Sequence, residues 1–148
     1  MSLPDRKAHF VTDLFVEELN DGTHRLTHDL IFYSAELRGY LKAPEGSVTD
    51  YASIPRAFWS LFPKDGPWKW AAVLHDGGYR RTLQTLMGQQ VTLVKSLADK
   101  LFREAMSVNP RIDEDTAELM YRVVRRFGGR PYGGLGTLVS DKGTNVNS

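Results

Sequence analysis

The chain of 148 residues contains no cysteine, and this absence excludes several kinds of site at once. Without thiols it cannot form disulfides, zinc fingers or thiolate metal sites, or use a cysteine nucleophile. Any metal must therefore be held by oxygen and imidazole ligands. Apolar runs are also short: none approaches the roughly 18 residues of a membrane-spanning helix, and no signal-peptide pattern opens the chain. We therefore expect a protein without a transmembrane segment that is made in the cytoplasm.

The chain has little excess charge of either sign. Its formal net charge of +1 gives no global electrostatic reason to bind nucleic acid, so nucleic acid is not an expected partner. Four arginines do cluster late in the sequence, but they more simply complement the C-terminal dipole of a helix. They are Arg122, Arg125, Arg126 and Arg130.

Length and composition indicate one ordinary soluble domain with loose ends. With 41% hydrophobic and 25% charged residues, the chain has the composition of a globular protein. Residues 1–9 are polar and are predicted to be an N-terminal arm. Residues 10–129 are predicted to form a single domain, and the glycine-rich residues 130–148 a tail that is flexible or becomes ordered in an assembly.

The first part of the domain is predicted to be an antiparallel meander of about three strands. The first strand runs from Phe10 to Leu19 and ends at the turn Asn20-Asp21-Gly22, which is typical of hairpins. The return strand covers residues 24–34, and a third strand covers residues 37–43. Residues 47–63 fit neither the strand period nor the helix period.

Three helices are predicted to follow. The first covers residues 67–81 with Pro67 at its first position, the second residues 91–107, and the third residues 113–127. We therefore predict an α+β fold in which the sheet packs on a bundle of about three helices.

The best candidate for chemistry is the pair His75-Asp76, which ends an apolar run in the first helix. Helical spacing places Tyr79 one turn after His75, on the same face. If the first two helices pack antiparallel, Asp99 of the second helix reaches His75. A carboxylate that orients an imidazole is the minimum for general-base catalysis through water. Asp76, on the adjacent row, would be free to bind a hard cation.

A purely structural interpretation also stays open for these residues. His75 could cap or pack a helix, while Asp76 and Asp99 form ordinary ion pairs with Arg80, Arg81 or Lys100. The adjacent glycines Gly77 and Gly78 weaken a helix, which indicates either close packing or room for a ligand beside Asp76.

Asp50 is a further candidate metal ligand. It follows Thr49 in the motif TDYASIPR, and the two residues could equally cap a turn. Arg56, in the same motif, could pair with Asp50 or hold an anion.

Several motifs occur together in one order: TDYASIPR, an FW pair, GPW, AAVLHDGGY, ADKLFREAM and MYRVVRRFGG. In this order the chain closely resembles the family catalogued as domain of unknown function 1353, over about residues 41–129. That resemblance implies a protein associated with bacteriophages and prophages.

The motif AAVLHDGGY followed by ADKLF also resembles the helix pair of phospholipase A2-type proteins. The resemblance implies that His75 is the base that activates water and that Asp99 orients it. It further implies that Asp76 is a calcium ligand and that Tyr79 contacts Asp99.

Together these patterns predict a phage-encoded, metal-assisted hydrolase that uses a divalent metal, calcium above all, and acts on lipid or another envelope ester. The alternative is a non-catalytic virion component, such as a tail or baseplate subunit, that assembles with itself or with other phage proteins. The expected location is the host cytoplasm, or the phage particle if the alternative holds.

Overall fold

A computed structural model describes residues 6–51, 60, 66 and 68–128. The fold is α+β, as predicted, with small antiparallel sheets first in the chain and three helices after them. The predicted tail at residues 130–148 lies outside the described residues, as do Pro67, Arg56 and the aromatic pair Phe58 and Trp59. The predicted division into arm, domain and tail stays a prediction.

The described residues contain six short strands, which form two sheets of three. They are β1 (His9–Phe10), β2 (Val16–Glu18), β3 (His24–Leu26), β4 (Leu30–Ser34), β5 (Gly39–Ala43) and β6 (Val48–Thr49). The first sheet has the order β1-β4-β5 and the second the order β2-β3-β6, and every pairing is antiparallel. In β4, Leu30, Phe32 and Ser34 point into the protein and the residues between them do not.

The prediction of about three strands was too low, although the predicted hairpin between β2 and β3 is present. The return run over residues 24–34 is divided into β3 and β4, which belong to different sheets. Asp29 lies at the division, where its main-chain oxygen accepts from the Thr12 hydroxyl at 3.1 Å and its carboxylate accepts from the Glu45 N–H at 2.7 Å. Because these contacts replace ladder hydrogen bonds, the chain leaves one sheet there and enters the other.

The three predicted helices are α1 (Trp68–Arg80), α2 (Lys95–Ser107) and α3 (Glu114–Val123), and a π-helical segment, Val124–Gly128, continues α3. α2 starts four residues later than predicted, because Val91 makes a strand-like hydrogen bond to the Leu83 oxygen at 2.8 Å. Asp113 caps α3, since its side chain accepts from the Thr116 N–H at 2.7 Å.

The core lies where the helices meet the sheets. Phe32 from β4, Leu74 from α1, Phe102 and Met106 from α2, and Val124 are all fully buried there. None of the helices in the described part of the chain is long and apolar enough to cross a bilayer. Because α1 is buried from Ala71 through Gly78, its polar residues are enclosed together with the core.

Candidate functional site

α1 and α2 bring the predicted histidine and aspartate into direct contact. The His75 Nε2 lies 2.7 Å from the Asp99 Oδ1, and the two side chains are only 1% and 2% exposed. His75 also packs edge-on against Phe102, further along α2, at 5.6 Å between ring centroids. Tyr79, one turn later in α1, contacts Asp99, whereas the earlier His75 reaches as far as Phe102, so the two helices run antiparallel.

Asp99 is the centre of the polar network. Its Oδ1 also accepts from the Tyr79 hydroxyl at 3.0 Å, and its Oδ2 accepts from the Lys95 ammonium at 2.7 Å. Lys95 donates a second hydrogen bond of 2.7 Å to the Arg125 main-chain oxygen in the π-helical segment. Asp99 therefore links α1, α2 and the end of α3, and its negative charge is balanced by a lysine in the first turn of its own helix.

These contacts determine the protonation of the pair. Burial lowers the pKa of His75, although hydrogen bonding to Asp99 opposes that shift. Burial raises the pKa of Asp99, but the hydrogen bonds from His75 and Lys95 outweigh it and leave that pKa below the ordinary value. Burial, together with the neighbouring Asp99 charge, raises the pKa of Tyr79 well above its usual range. At neutral pH the site therefore holds a neutral imidazole, a carboxylate and a neutral phenol.

The second imidazole nitrogen of His75 has a different environment. An ionised carboxylate can only accept, so Nε2 carries the proton that Asp99 receives, and Nδ1 keeps a free lone pair. Nδ1 is buried, and within the described residues no hydrogen-bond partner reaches it. Because buried polar atoms are nearly always hydrogen-bonded, such an atom requires an explanation. In chemical terms Nδ1 is an oriented base without a proton.

Asp76 faces away from this network, towards the second sheet. Its Oδ2 accepts from the Thr49 hydroxyl at 2.5 Å and from the Asp50 N–H at 2.9 Å. The Asp50 carboxylate lies 3.9 Å from an Arg80 guanidinium nitrogen, and Arg80 also donates to the Val48 oxygen at 3.2 Å. The Asp76 carboxylate therefore connects α1 to β6, and the two candidate metal ligands Asp76 and Asp50 lie side by side.

This corner supplies few ligands for calcium. Calcium takes about six to eight oxygen ligands, usually several of them carboxylate or carbonyl oxygens. One Asp76 oxygen already receives two protein donors, Asp50 lies beside Arg80, and no group of three or more metal-binding side chains occurs among the described residues. The donors present do not fit a calcium site by themselves, and calcium binding stays a prediction.

The glycine pair of α1 lies against closely packed apolar side chains. A Cβ on Gly77 would lie 2.6 Å from the Leu83 Cδ2, and one on Gly78 would lie 3.1 Å from the Ala98 Cβ. Gly78 thus lets α2 approach α1 closely enough for Asp99 to reach His75. Of the two interpretations of these glycines, the structure supports close packing.

Two residues of the site were not predicted. Lys95 lies one turn before Asp99, and the four-residue spacing of opposite charges could have revealed this pair. His24, assigned by its sequence position only to a strand, lies opposite Thr49 in the β3–β6 register, and its ring packs 4.8 Å from that of Tyr51. That neighbourhood depends on pairing between strands distant in sequence, which no local pattern encodes.

The site is a buried polar cluster between two antiparallel helices of a small α+β protein. The family model described as "Protein of unknown function (DUF1353)" matches residues 24–124, and the chain belongs to that family. The matched region contains His75, Asp76, Tyr79, Asp99 and Asp50. Comparison with curated proteins and with solved structures gave no match.

Proposed function

We propose that this protein is an ester hydrolase in which His75 is the general base that activates water. The proposal rests on one observation: the two ring nitrogens of His75 have opposite environments. Nε2 is held by Asp99 at 2.7 Å, while Nδ1 is buried without a partner among the described residues. A neutral imidazole oriented in this way is suited to accept a proton from water.

The reaction follows from these groups. Because Nδ1 is enclosed, the side chains around it must move to admit water and the ester. The water then gives its proton to the imidazole as its oxygen bonds to the ester carbonyl carbon. The Asp99 carboxylate stabilises the imidazolium that forms, and Lys95 and Tyr79 hold that carboxylate in place. When the tetrahedral intermediate collapses, the bond to the alcohol breaks and the imidazolium returns the proton to the leaving oxygen. The products are an acid and an alcohol, and His75 is neutral again.

The substrate class and the setting are part of the same proposal. The order of motifs in the helix pair resembles phospholipase A2-type proteins, which supports a lipid or another envelope ester as substrate. The phage setting rests on the motifs that the chain shares with its family. Calcium would be an addition to this mechanism, and every step above uses only groups of the protein.

The test is hydrolysis of p-nitrophenyl butyrate and of phosphatidylglycerol vesicles by the purified protein, with calcium and with a chelator. His75→Gln should lower the rate by about 10²–10⁴-fold, the usual contribution of a general base. His28→Gln is the matched control, because His28 is exposed and lies outside the site. Equal rates for wild type and His75→Gln would overturn the proposal. A wild-type rate that is the same with calcium and with chelator would exclude only a role for calcium.

One observation favours a second candidate, a non-catalytic phage virion component. His75 and Asp99 are almost completely enclosed, as expected for a polar cluster that fixes the packing of two helices. A virion component should be present in purified phage particles at a fixed copy number. It should also show no hydrolysis in the assay above.

A further inference from the structure

The outer face of the first sheet carries a row of three aromatic rings. Side chains alternate along β4 and β5, so Phe32 and Leu41 point into the core while Tyr33 and Tyr40 point outwards. The register sets His9 opposite Tyr33, and Tyr33 opposite Tyr40, so each of the three strands contributes one ring. The row therefore lies on the side of the sheet that faces away from the core.

The three rings contact one another and end in an exposed imidazole. The His9 ring stacks on Tyr33 with 5.7 Å between centroids and 27° between planes, and Tyr40 meets Tyr33 edge-on at 5.0 Å. The His9 Nδ1 donates to the Lys7 main-chain oxygen at 2.7 Å, which fixes the orientation of the ring. Because His9 is exposed, a further planar group can stack on it.

The basic side chains on this face keep their charge unmatched. The Arg6 guanidinium lies 5.2 Å from the Tyr33 ring centroid and donates to the Tyr40 hydroxyl, which is a neutral partner. Lys7 precedes β1, and Lys42 points outwards from β5. Among the described residues no carboxylate forms an ion pair with Arg6, Lys7 or Lys42.

Acidic residues are absent from the three strands of this sheet. Those closest to the strands in the described chain lie beyond their ends: Asp13 follows β1, Asp29 precedes β4 and Glu36 follows it. The Asp29 carboxylate already accepts from a main-chain N–H at 2.7 Å, and Glu36 shares its turn with Arg38. The net charge of +1 for the whole chain therefore conceals a face that is locally basic.

This combination of rings and charges selects one class of ligand. In single-stranded nucleic acid the bases are free to stack on aromatic side chains, and the phosphates meet basic ones. A duplex keeps the faces of its bases covered, so it cannot use the rings. A neutral glycan could pack on the rings, but it would give the three basic side chains no negative charge to contact.

We propose that the outer face of the first sheet binds single-stranded nucleic acid. An unpaired base extends the stack at His9, and Arg6, Lys7 and Lys42 contact the phosphates beside it. The candidate site between α1 and α2 contributes nothing to this face, so the binding is separate from the proposed hydrolysis.

The test is fluorescence anisotropy of a labelled oligothymidylate of about 20 nucleotides, titrated with the purified full-length chain at about 50 and 200 mM salt. His9→Ala should lower the affinity about tenfold, because the stacking of one base is lost. His28→Ala is the matched control, since His28 is also an exposed histidine beside an aromatic ring, 4.9 Å from Phe15. It should bind like wild type.

Salt separates the phosphate contacts from the stacking. Three basic contacts to a single strand predict that the affinity falls about 20-fold between the two salt concentrations, and Lys42→Gln should reduce that fall to about sevenfold. Arg25→Gln is the control, because it removes the same charge from the second sheet, where Arg25 pairs with Glu17 at 2.8 Å. It should leave the fall unchanged.

Absence of binding by wild type, or equal binding by wild type and His9→Ala, would overturn the inference. Equally tight binding of a duplex of the same length would exclude stacking and would overturn it too. Binding of dextran without binding of the oligonucleotide would assign the face to carbohydrate, which is also a contrary result. His75→Gln should bind the oligonucleotide like wild type, so this inference and the proposed hydrolysis fail separately.

Discussion

α2 makes polar contacts on two of its sides, and the two contacts differ in how far water reaches them. Towards α3, Arg103 contacts Glu114 at 2.6 Å and Glu118 at 3.3 Å, with side chains that water reaches. Towards α1, Asp99 contacts His75 at 2.7 Å, and both side chains are almost completely buried. Within α2 it also pairs with Lys95 at 2.7 Å, and the Lys95 side chain is half exposed. The same helix therefore carries one polar contact that water can replace and one that it cannot.

This difference indicates which contact requires a functional explanation. An exposed ion pair exchanges protein partners for water at little net gain or cost. A buried charge is costly to desolvate, and burying it is tolerated only when its partners satisfy it. The protein satisfies Asp99 completely and yet leaves the His75 Nδ1 without a described partner. The His24 Nδ1 is likewise buried without a partner among the described residues, but His24 has no buried carboxylate to orient it as Asp99 orients His75.

The largest expected effect comes from removing the buried carboxylate. Asp99→Ala should lower the free energy of unfolding by about 1–3 kcal/mol, since the buried His75 N–H loses its acceptor. Urea denaturation of wild type and variant measures the change. Asp115→Ala, at an exposed acidic position in the first turn of α3, is the control and should change stability far less. Similar losses for the two variants would mean that the burial of Asp99 adds nothing to the cost of removing a carboxylate.

A smaller effect should appear as a dependence of stability on pH. The pKa of His75 is lower in the folded protein than its ordinary value of 6.5, because burial disfavours the charged ring. The unfolded chain therefore takes up the proton first as the pH falls. Stability should decrease below about pH 6.5, by up to about 1.4 kcal/mol per pH unit, until the folded protein is protonated as well.

Urea unfolding at several values between pH 5 and 8 measures this slope. The difference between wild type and His75→Gln isolates the contribution of this one ring, because the other titrating groups are common to both proteins. If the two proteins lose stability in parallel over that interval, burial does not depress the His75 pKa.

The helices and the polar cluster between α1 and α2 could be predicted from the sequence, because they depend on local patterns. The spacing of His75 and Tyr79 and the aspartate of the second helix were enough to predict the cluster that α1 and α2 form. The acidic start of α3 likewise predicted the helix that Asp113 caps. Helical periodicity and capping act over a few residues, so a single sequence contains them.

The sheet topology, the position of Asp76 and the environment of the His75 Nδ1 could not be predicted, because they depend on contacts between distant segments. The division of residues 24–34 between two sheets follows from bonds that Asp29 makes to Thr12 and Glu45, which lie far from it in the chain. The place of Asp76 follows from β6, a strand of two residues with no periodicity to detect. The free lone pair on Nδ1 depends on every neighbour of that atom, and a sequence pattern cannot show it.

The smallest effect should come from the exposed side of α2. Arg103→Gln removes the ion pairs to Glu114 and Glu118 but keeps a polar side chain of similar length, so water can solvate the two carboxylates. We expect a loss of stability well below that of Asp99→Ala, and a loss that shrinks further between 0.05 and 0.5 M salt as screening increases. Thermal unfolding of both variants at the two salt concentrations measures it. The Asp99→Ala loss should change less with salt, because the His75–Asp99 contact is enclosed and only the Lys95 end of the other contact is open to water. An equal salt response in the two variants would show that water reaches Asp99 as readily as Arg103.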